Sequence, residues 1–215
     1  MNKPSFRSAC LAALIAMIVL IACDAGSETK AKWVVDGDTI FLTDGRSVRY
    51  IGIDTPEIDT KKGDAEPMGA EARAMNRRLV DGWTLRLTYD REKRDRYGRT
   101  LAYVHRADGL FVNAELLERG VAHVLYHFPN TGQSDRLLGA QRKAMQRGVG
   151  IWQTVDKQAI PSHSYWGNRR SMRFHAHDCP NARTIAPKNR VRFSNRWDAF
   201  WLGYAPASQC ISFPQ

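Results

Sequence analysis

Hydrophobic and polar positions alternate through much of the first half of the chain, which is the pattern of β-strands with one buried face. Leu85, Leu87 and Tyr89 alternate with polar neighbours, so one side of this segment is predicted to face a core. The dipeptide Asp44-Gly45, between two β-rich runs, predicts a tight hairpin turn. The remaining predicted strands are 33–35, 39–42, 47–53 and 100–105.

A helical period is found in three other segments. Ala72 and Leu79 fall on one stripe of the first, and Asn113 and Ser134 stand where the N-caps of the second and third are expected. The predicted helices are 68–80, 112–119 and 134–146. This order of short strands and helices predicts a mainly β fold with α-helices, namely an OB-fold five-stranded barrel with about three helices.

The N-terminus has the pattern of an export signal. Lys3 and Arg7 precede an unbroken apolar run, 11–22, which is too short to span a bilayer comfortably but fits the core of a signal peptide. Small residues then lead to Cys23, and this ending resembles the lipobox of bacterial lipoproteins. The resemblance implies cleavage before Cys23, lipidation of that cysteine, and an exported protein of the cell envelope, anchored in a membrane and facing the periplasm or the outside. An ordinary signal peptide cut nearby is the alternative.

The composition suits a folded protein that meets polyanions. Of 215 residues, 43% are hydrophobic and 25% are charged, so one domain of ordinary size with a small second module is expected. The formal net charge is +10, and such a surplus attracts nucleic acid or an acidic membrane surface. A soluble basic protein without such a partner is the simpler alternative.

Carboxylates gather in two runs where predicted strands end. Asp38 and Asp54 offer the hard oxygen ligands that Ca²⁺ prefers, and the backbone carbonyl of Thr55 can complete the protein's share of the ligands. Asp36 is interpreted as a turn-former beside glycine. The runs are 36–39 (Asp-Gly-Asp-Thr) and 49–57 (Arg-Tyr-Ile-Gly-Ile-Asp-Thr-Pro-Glu), and a third run, 95–99 (Asp-Arg-Tyr-Gly-Arg), adds a second arginine to this set.

Three further residues complete a set suited to phosphodiester cleavage. Glu57 can orient or deprotonate an attacking water, although a solvated loop glutamate is the alternative. Arg49 and Arg99 can hold the scissile phosphate, because guanidinium groups stabilise the charge that develops on its oxygens. Arg49 and Asp54 have opposite parity, so they meet only if the strand bends or ends between them.

The order and spacing of these runs resemble the staphylococcal nuclease (thermonuclease-like) family over residues 32–153. Other matching runs are 69–72, 101–103, 112–113 and 150–152. The resemblance implies an OB-fold barrel and Ca²⁺-dependent hydrolysis of DNA and RNA, with Arg96, Tyr97 and Tyr126 in contact with substrate. Phe128 stands where the family often has a second tyrosine, so it can stack on a base but cannot donate a hydrogen bond.

The C-terminal segment resembles the small metal-binding module of Ada-type DNA-repair proteins. His175 and Cys179 fit the first half of that module's ligand pattern, but the second half keeps a single cysteine, Cys210. In an exported protein the pair Cys179 and Cys210 predicts a disulfide. The alternative is a metal site in which His177 replaces the missing ligand.

The sequence therefore predicts a nuclease with two modules. The predicted organisation is 1–22 signal peptide, 23–31 tether, 32–153 staphylococcal-nuclease-like OB-fold domain, 154–164 linker and 165–215 small α+β module. The first hypothesis is a monomeric Ca²⁺-dependent nuclease acting on DNA and RNA and held at a membrane by its N-terminal lipid. The second is a non-catalytic OB-fold lipoprotein that only binds nucleic acid.

Overall fold

The computed structural model describes residues 28–58, 65–155, 157 and 164–211. The predicted signal peptide, Cys23 and the start of the predicted tether lie outside the described residues, as does most of the predicted linker. In chain order the first elements are β1 (Glu28–Val34), β2 (Thr39–Leu42), β3 (Ser47–Tyr50), β4 (Ile53–Asp54), α1 (Gly69–Val80), β5 (Thr84–Thr88) and β6 (Thr100–Arg106). They are followed by α2 (Val112–Glu118), β7 (His123–Val124), α3 (Ser134–Arg147) and a 3-10 helix (Gly150–Gln153).

A closed barrel in the order β1-β2-β3-β6-β5 is the centre of the fold. Its neighbouring strands are antiparallel, except that β3 and β6 run parallel. The predicted fold, a mainly β OB-fold barrel with helices, is confirmed. Leu85 and Leu87 are buried while their neighbour Arg86 is exposed, which is the alternation that the sequence shows. Ala72 and Leu79 of α1 are buried against this barrel core.

Residues 28–31, which were predicted as part of a tether, belong to β1 and pair with neighbouring strands of the barrel. Two predicted helix caps were also wrong. Asn113 does not cap α2, since its buried side chain accepts a hydrogen bond from Val104 N (2.9 Å) and donates one to Ile51 O (2.9 Å). Ser134 does not cap α3 either, because the capping position is Gln133 and no side chain bonds there. Both cap errors concern the first turn of a helix. The backbone N–H groups there have no partner within the helix, and tertiary contacts decide which groups bond to them.

The C-terminal residues form a second, smaller sheet with its own short helices. Its elements are β8 (Tyr165–Asn168), β9 (Arg173–Ala176), α4 (Pro180–Arg183), a 3-10 helix (Pro187–Asn189), β10 (Arg190–Phe193), α5 (Arg196–Trp201) and β11 (Ala205–Pro206), and the sheet order is β10-β8-β9-β11. Phe174 and Phe200 from this region share one hydrophobic cluster with Met145, Ile151 and Trp152. The second sheet therefore packs on the end of α3. No helix among the described residues is long and apolar enough to cross a membrane.

Candidate active site

The connection between β1 and β2 fixes a buried carboxylate. Asp36 accepts a hydrogen bond from Asp38 N (3.0 Å), and Asp38 Oδ2 accepts hydrogen bonds from Thr55 N (3.0 Å) and Thr55 Oγ1 (3.2 Å). A Cβ on Gly37 would lie 2.6 Å from Thr55 Oγ1, so only glycine allows this approach. The side chain of Asp38 is consequently held in one orientation with little access to solvent.

The turn after β3 brings an arginine back onto the following strand. β3 ends at Tyr50, and Gly52 adopts φ +82°, a conformation that favours glycine. Arg49 Nη1 then donates to Ile53 O (2.8 Å), and Arg49 Nη2 lies 2.6 Å from Asp54 Oδ1. The bend that the parity of Arg49 and Asp54 requires is therefore present.

The Arg49 guanidinium joins the two predicted metal ligands. Nη1 lies 3.0 Å from Asp38 Oδ2 while Nη2 contacts Asp54, and the arginine side chain is only 14% exposed. Burial raises the pKa of Asp38 well above its usual range; Arg49 opposes this rise, and Asp36, Asp54 and Glu57 add to it. The Arg49 guanidinium therefore faces four carboxyl groups, and one positive charge does not neutralise all of them.

Glu57 stands at the start of the loop that follows β4, and it keeps access to solvent. Its backbone N donates to Glu66 Oε2 (2.8 Å), and its carbonyl accepts from Glu66 N (2.8 Å). A Cβ on Gly69 would lie 2.6 Å from Glu57 O, so a glycine is needed at this contact as well. Burial, with repulsion from Asp36 and Asp54, raises the pKa of Glu57 to about 7, which is a value suited to a base near neutral pH.

The second predicted arginine is oriented by a tight turn. Asp95 Oδ1 accepts hydrogen bonds from Tyr97 N and Arg99 N (both 2.9 Å), and Asp95 Oδ2 accepts from Arg99 Nε (2.7 Å). Burial opposes ionisation of Asp95, but the hydrogen bonds from Arg99 outweigh it and lower the pKa of the carboxyl. Arg99 and Arg49 line one cavity of about 150 Å³, together with His127. The two arginines that the sequence predicts therefore face a common space, named here the catalytic cavity.

The four predicted substrate residues lie on two surfaces near this cavity. Arg96 Nη2 donates to the Tyr97 hydroxyl (2.6 Å), and both residues are exposed at the tip of the turn. Tyr126 and Phe128 stack on each other with ring centroids 5.8 Å apart, and Phe128 is exposed. None of these four is among the described residues that line the catalytic cavity, whereas His127, between the two rings in sequence, is.

Several residues near the site were missed by sequence reasoning. His123 Nε2 lies 3.9 Å from Asp54 Oδ2, because β7 pairs with β4. Arg173 on β9 is close enough that Asp54 raises its pKa, although burial lowers that pKa overall. Neither residue had a signal in the sequence, since both come from distant segments of the chain. Asp36, interpreted from the sequence as a turn-former, accepts a hydrogen bond from Asp38 N in that turn.

One buried glutamine ties the second sheet to the strand beneath the site. Gln141 of α3 accepts a hydrogen bond from Val124 N (2.6 Å) and donates one to Phe200 O (2.6 Å). Val124 pairs with Ile53, whose carbonyl holds Arg49. The position of the arginine therefore depends on contacts that reach the C-terminal region.

The two C-terminal cysteines are bonded to each other. Cys179 and Cys210 form a disulfide, and His175 Nδ1 lies 3.6 Å from Cys179 Sγ. Within the described ranges this is the one group of three His, Cys, Asp or Glu residues whose ligand atoms all lie within 4.8 Å of one another. His177 is exposed and does not belong to this group.

A barrel of OB type with paired carboxylates and two convergent arginines defines a phosphodiester hydrolase of the nuclease class. Sequence comparison gives the family: the model of the staphylococcal nuclease homologues matches residues 47–154. The chain belongs to this family.

Individual relatives are similar over more than half of the chain. The thermonuclease of Staphylococcus intermedius is 37% identical over 131 residues, which cover 60% of this chain and 77% of that protein. The thermonuclease of Staphylococcus hyicus is 38% identical over 122 residues, covering 55% and 72% respectively. The SPbeta prophage-derived endonuclease YokF of Bacillus subtilis (strain 168) is 41% identical over 123 residues, covering 55% of this chain and 41% of that protein.

Nucleases of this family depend on a metal, and the residues of this chain fit one. The donor set consists of carboxylate and carbonyl oxygens, which suit a hard divalent cation. Burial, with added repulsion between the carboxylates, raises the pKa values of Asp38 and Glu57, and Arg49 only partly opposes these rises. A bound dication would relieve that repulsion.

Proposed function

We propose that this protein is a calcium-dependent nuclease that hydrolyses phosphodiester bonds of both DNA and RNA. One observation carries the proposal: Arg49 joins Asp38 and Asp54 and also lines the same cavity as Arg99. Two guanidinium groups therefore face one space, and one of them also contacts the two predicted metal ligands. Family membership supports the same reaction.

In this proposal Asp38, Asp54 and the Thr55 carbonyl hold the cation. A bound Ca²⁺ supplies Lewis-acid polarisation of the phosphate and offsets its negative charge. Ca²⁺ accepts irregular oxygen geometry more readily than Mg²⁺. Arg49 already contacts both Asp38 and Asp54, so the ligand geometry here is irregular. Such a site suits Ca²⁺ better than Mg²⁺.

Side chains of this protein take the remaining roles in the reaction, namely proton transfer and phosphate binding. Glu57 accepts a proton from the attacking water, since its raised pKa makes its carboxylate a better base near neutral pH than an ordinary glutamate. Arg49 and Arg99 bind the phosphate oxygens and stabilise the charge that they gain as phosphorus becomes crowded. His127, in the wall of the same cavity, lies where it can contact the leaving group or the sugar.

The protein is further proposed to be exported and held at a membrane by lipid on Cys23, and to act as a monomer. The charged start, the apolar run and the cysteine support this part. Labelling cells with a tagged fatty acid should mark the wild type and not Cys23→Ala. Label on both proteins, or on neither, would contradict lipidation at this residue.

Cleavage assays test the reaction. The purified protein should degrade single-stranded DNA and RNA when Ca²⁺ is added and stop when EGTA is added. Binding without cleavage in the presence of Ca²⁺ would instead favour the non-catalytic nucleic-acid-binding alternative.

Thermal unfolding tests the metal site without using activity. At about 100 times its dissociation constant, Ca²⁺ should stabilise the wild type by about 2.7 kcal/mol. Asp38→Asn should lose this shift, and Asp178→Asn, which changes an exposed residue in the turn between β9 and α4, should keep it. An equal shift in all three proteins would place the calcium elsewhere.

A further inference from the structure

A second cavity lies beside the catalytic cavity, and Arg99 belongs to the walls of both. Its volume is about 340 Å³, which is in the range of small-ligand pockets. Arg46, Arg94 and Arg99 supply its charge, and Phe41 and Tyr97 supply its aromatic surface. We name it the flanking cavity.

The lining of the flanking cavity is cationic. Three guanidinium groups and no carboxylate are among its described lining residues. Arg46 is held by Asp44 and by the Tyr89 hydroxyl (2.9 Å). Arg94 is exposed and makes no ion pair with any described carboxylate. The cavity therefore offers an uncompensated positive charge to an anion.

Partly exposed aromatic rings stand at this cavity or beside it. Tyr97 is 69% exposed, and the guanidinium of Arg99 lies 5.7 Å from its ring centroid. Phe41 stacks on Trp33 with centroids 4.5 Å apart, and Trp33 is 46% exposed. Exposed rings beside arginines are the arrangement with which proteins stack the bases of single strands.

The flanking cavity continues the outer surface that carries the catalytic arginine. Ser47 and Arg49 are two residues apart on β3 and therefore project from the same face, about 7 Å apart along the strand. Ser47 lines the flanking cavity and is paired with Phe41 on β2. A strand of nucleic acid on this face can thus contact both cavities.

We propose that the flanking cavity binds the nucleotide next to the scissile phosphate in single-stranded nucleic acid. Arg94 and Arg46 contact its phosphate, and Tyr97, Phe41 and Trp33 form the surface on which its base stacks. This inference rests on the proposed nuclease function, because it places the scissile phosphate at Arg49. It makes the enzyme sensitive to substrate length, since a short substrate cannot fill both cavities.

Binding in the presence of a chelator tests the inference without cleavage. The probe is oligothymidylate of about twelve nucleotides, a length within the range that OB-folds bind. Arg94→Gln should weaken binding about tenfold and reduce the slope of log affinity against log salt by about 0.7, the value for one lost phosphate contact to a single strand. Trp33→Ala should weaken binding about fivefold or more through lost stacking, with little change in the salt slope.

Two controls make the result specific to this cavity. Arg78→Gln removes the same charge from the exposed side of α1 and should leave both affinity and salt slope close to those of the wild type. Arg94→Lys keeps the charge and should keep most of the salt slope. Equal losses in Arg78→Gln and Arg94→Gln, or no loss in Arg94→Gln, would overturn the inference.

Cleavage separates failure of the inference from failure of the proposed function. With Ca²⁺, Arg94→Gln should raise KM for the oligonucleotide about tenfold with little change in kcat, whereas Arg78→Gln should change neither. If the wild type binds oligothymidylate in this way but cleaves nothing, the nuclease proposal fails and the binding site remains. If the wild type cleaves the oligonucleotide and Arg94→Gln has the same KM, the flanking site alone is refuted.

Discussion

The guanidinium of Arg49 lies 2.6 Å from the carboxylate of Asp54, although the two residues have opposite parity along the chain. The contact exists because β3 stops at Tyr50 and the chain turns at Gly52 before β4 begins. The same guanidinium also reaches Asp38. Arg49 is therefore part of the structural framework of the site as well as a candidate for phosphate binding.

Substitution of Arg49 is expected to lower both stability and activity, whereas substitution of Arg99 is expected to lower mainly activity. Arg49→Gln leaves Asp38 buried without its ion-pair partner, which typically costs about 3–5 kcal/mol of stability in addition to activity. Arg99→Gln removes a more exposed side chain paired with Asp95, so it should lower kcat by about 10²–10³ with little loss of stability. Urea unfolding and single-turnover cleavage measure the two effects.

Arg119→Gln is a matched control for this pair, because it breaks an exposed ion pair with Glu115 far from either cavity along the chain. Both its stability and its kcat should stay near those of the wild type. If Arg99→Gln were as destabilised as Arg49→Gln, the division between framework and phosphate binding would be wrong.

Glu57 should control the pH dependence of cleavage. Its pKa is raised to about 7, so its carboxylate, the form that accepts a proton, grows as pH rises through that value. Because bound Ca²⁺ relieves the repulsion on Glu57, the wild-type rate should rise with pH at or below pH 7 and level off once this carboxylate is ionised. Glu57→Gln should lower kcat by about 10²–10⁴, the usual contribution of a general base, and should remove this rise. A rise that persists in Glu57→Gln would show that another group is the base.

The same raised pKa has an opposite consequence for stability. Between 4.5, its ordinary value, and about 7, the folded Glu57 holds a proton that the unfolded chain has released. Its contribution to stability is thus present at low pH and is lost as pH rises through about 7. Glu57→Gln should therefore raise the melting temperature at alkaline pH and change it little in acid. Scanning calorimetry at the two pH values checks the sign.

Gln141 should affect catalysis from a distance. Gln141→Leu removes the side-chain acceptor of Val124 N, and a buried unsatisfied group costs about 1–3 kcal/mol. Because Val124 pairs with Ile53 beneath Arg49, kcat should also fall about tenfold or more while KM changes little. Gln146→Leu changes an exposed glutamine of the same helix and is the control. An unchanged kcat in Gln141→Leu would show that the bridge is only structural.

Removal of the disulfide should destabilise the C-terminal region. Cys179 and Cys210 close a loop with a sequence separation of 31, and loss of such a bond typically costs about 2–5 kcal/mol. Cys210→Ser should show this loss in urea unfolding under oxidising conditions and a smaller difference from the wild type under reducing ones. Zinc should bind the oxidised protein weakly, because both thiols are consumed. Free thiols in the oxidised protein, or tight zinc binding with His175, would favour the metal alternative instead.

The sequence predicted those parts of the fold that depend on local pattern. The alternation around Leu85 and Leu87 located a strand, and the spacing of Asp38, Asp54 and Glu57 located the carboxylates. Spacing was sufficient because these residues lie in or beside strands that are neighbours in both sequence and space. The order of residues along the chain was therefore enough to predict the carboxylates of the site.

Contacts between distant segments could not be predicted in this way. His123 comes near Asp54 through the pairing of β7 with β4, and Arg173 comes near it through the docking of the second sheet. Neither depends on a local pattern. Asn113 shows the same effect, because its side chain bonds to Val104 and Ile51 rather than to its own helix.

The hydrophobic cluster shared by Trp152, Ile151, Phe174 and Phe200 has a practical consequence for anyone preparing this protein. A truncated version that ends after the 3-10 helix would present to water an aromatic surface that is covered in the intact chain. Such a fragment would tend to self-associate during purification. Expression with the complete C-terminal region keeps that surface covered, so shortened versions are poor substitutes for the whole molecule.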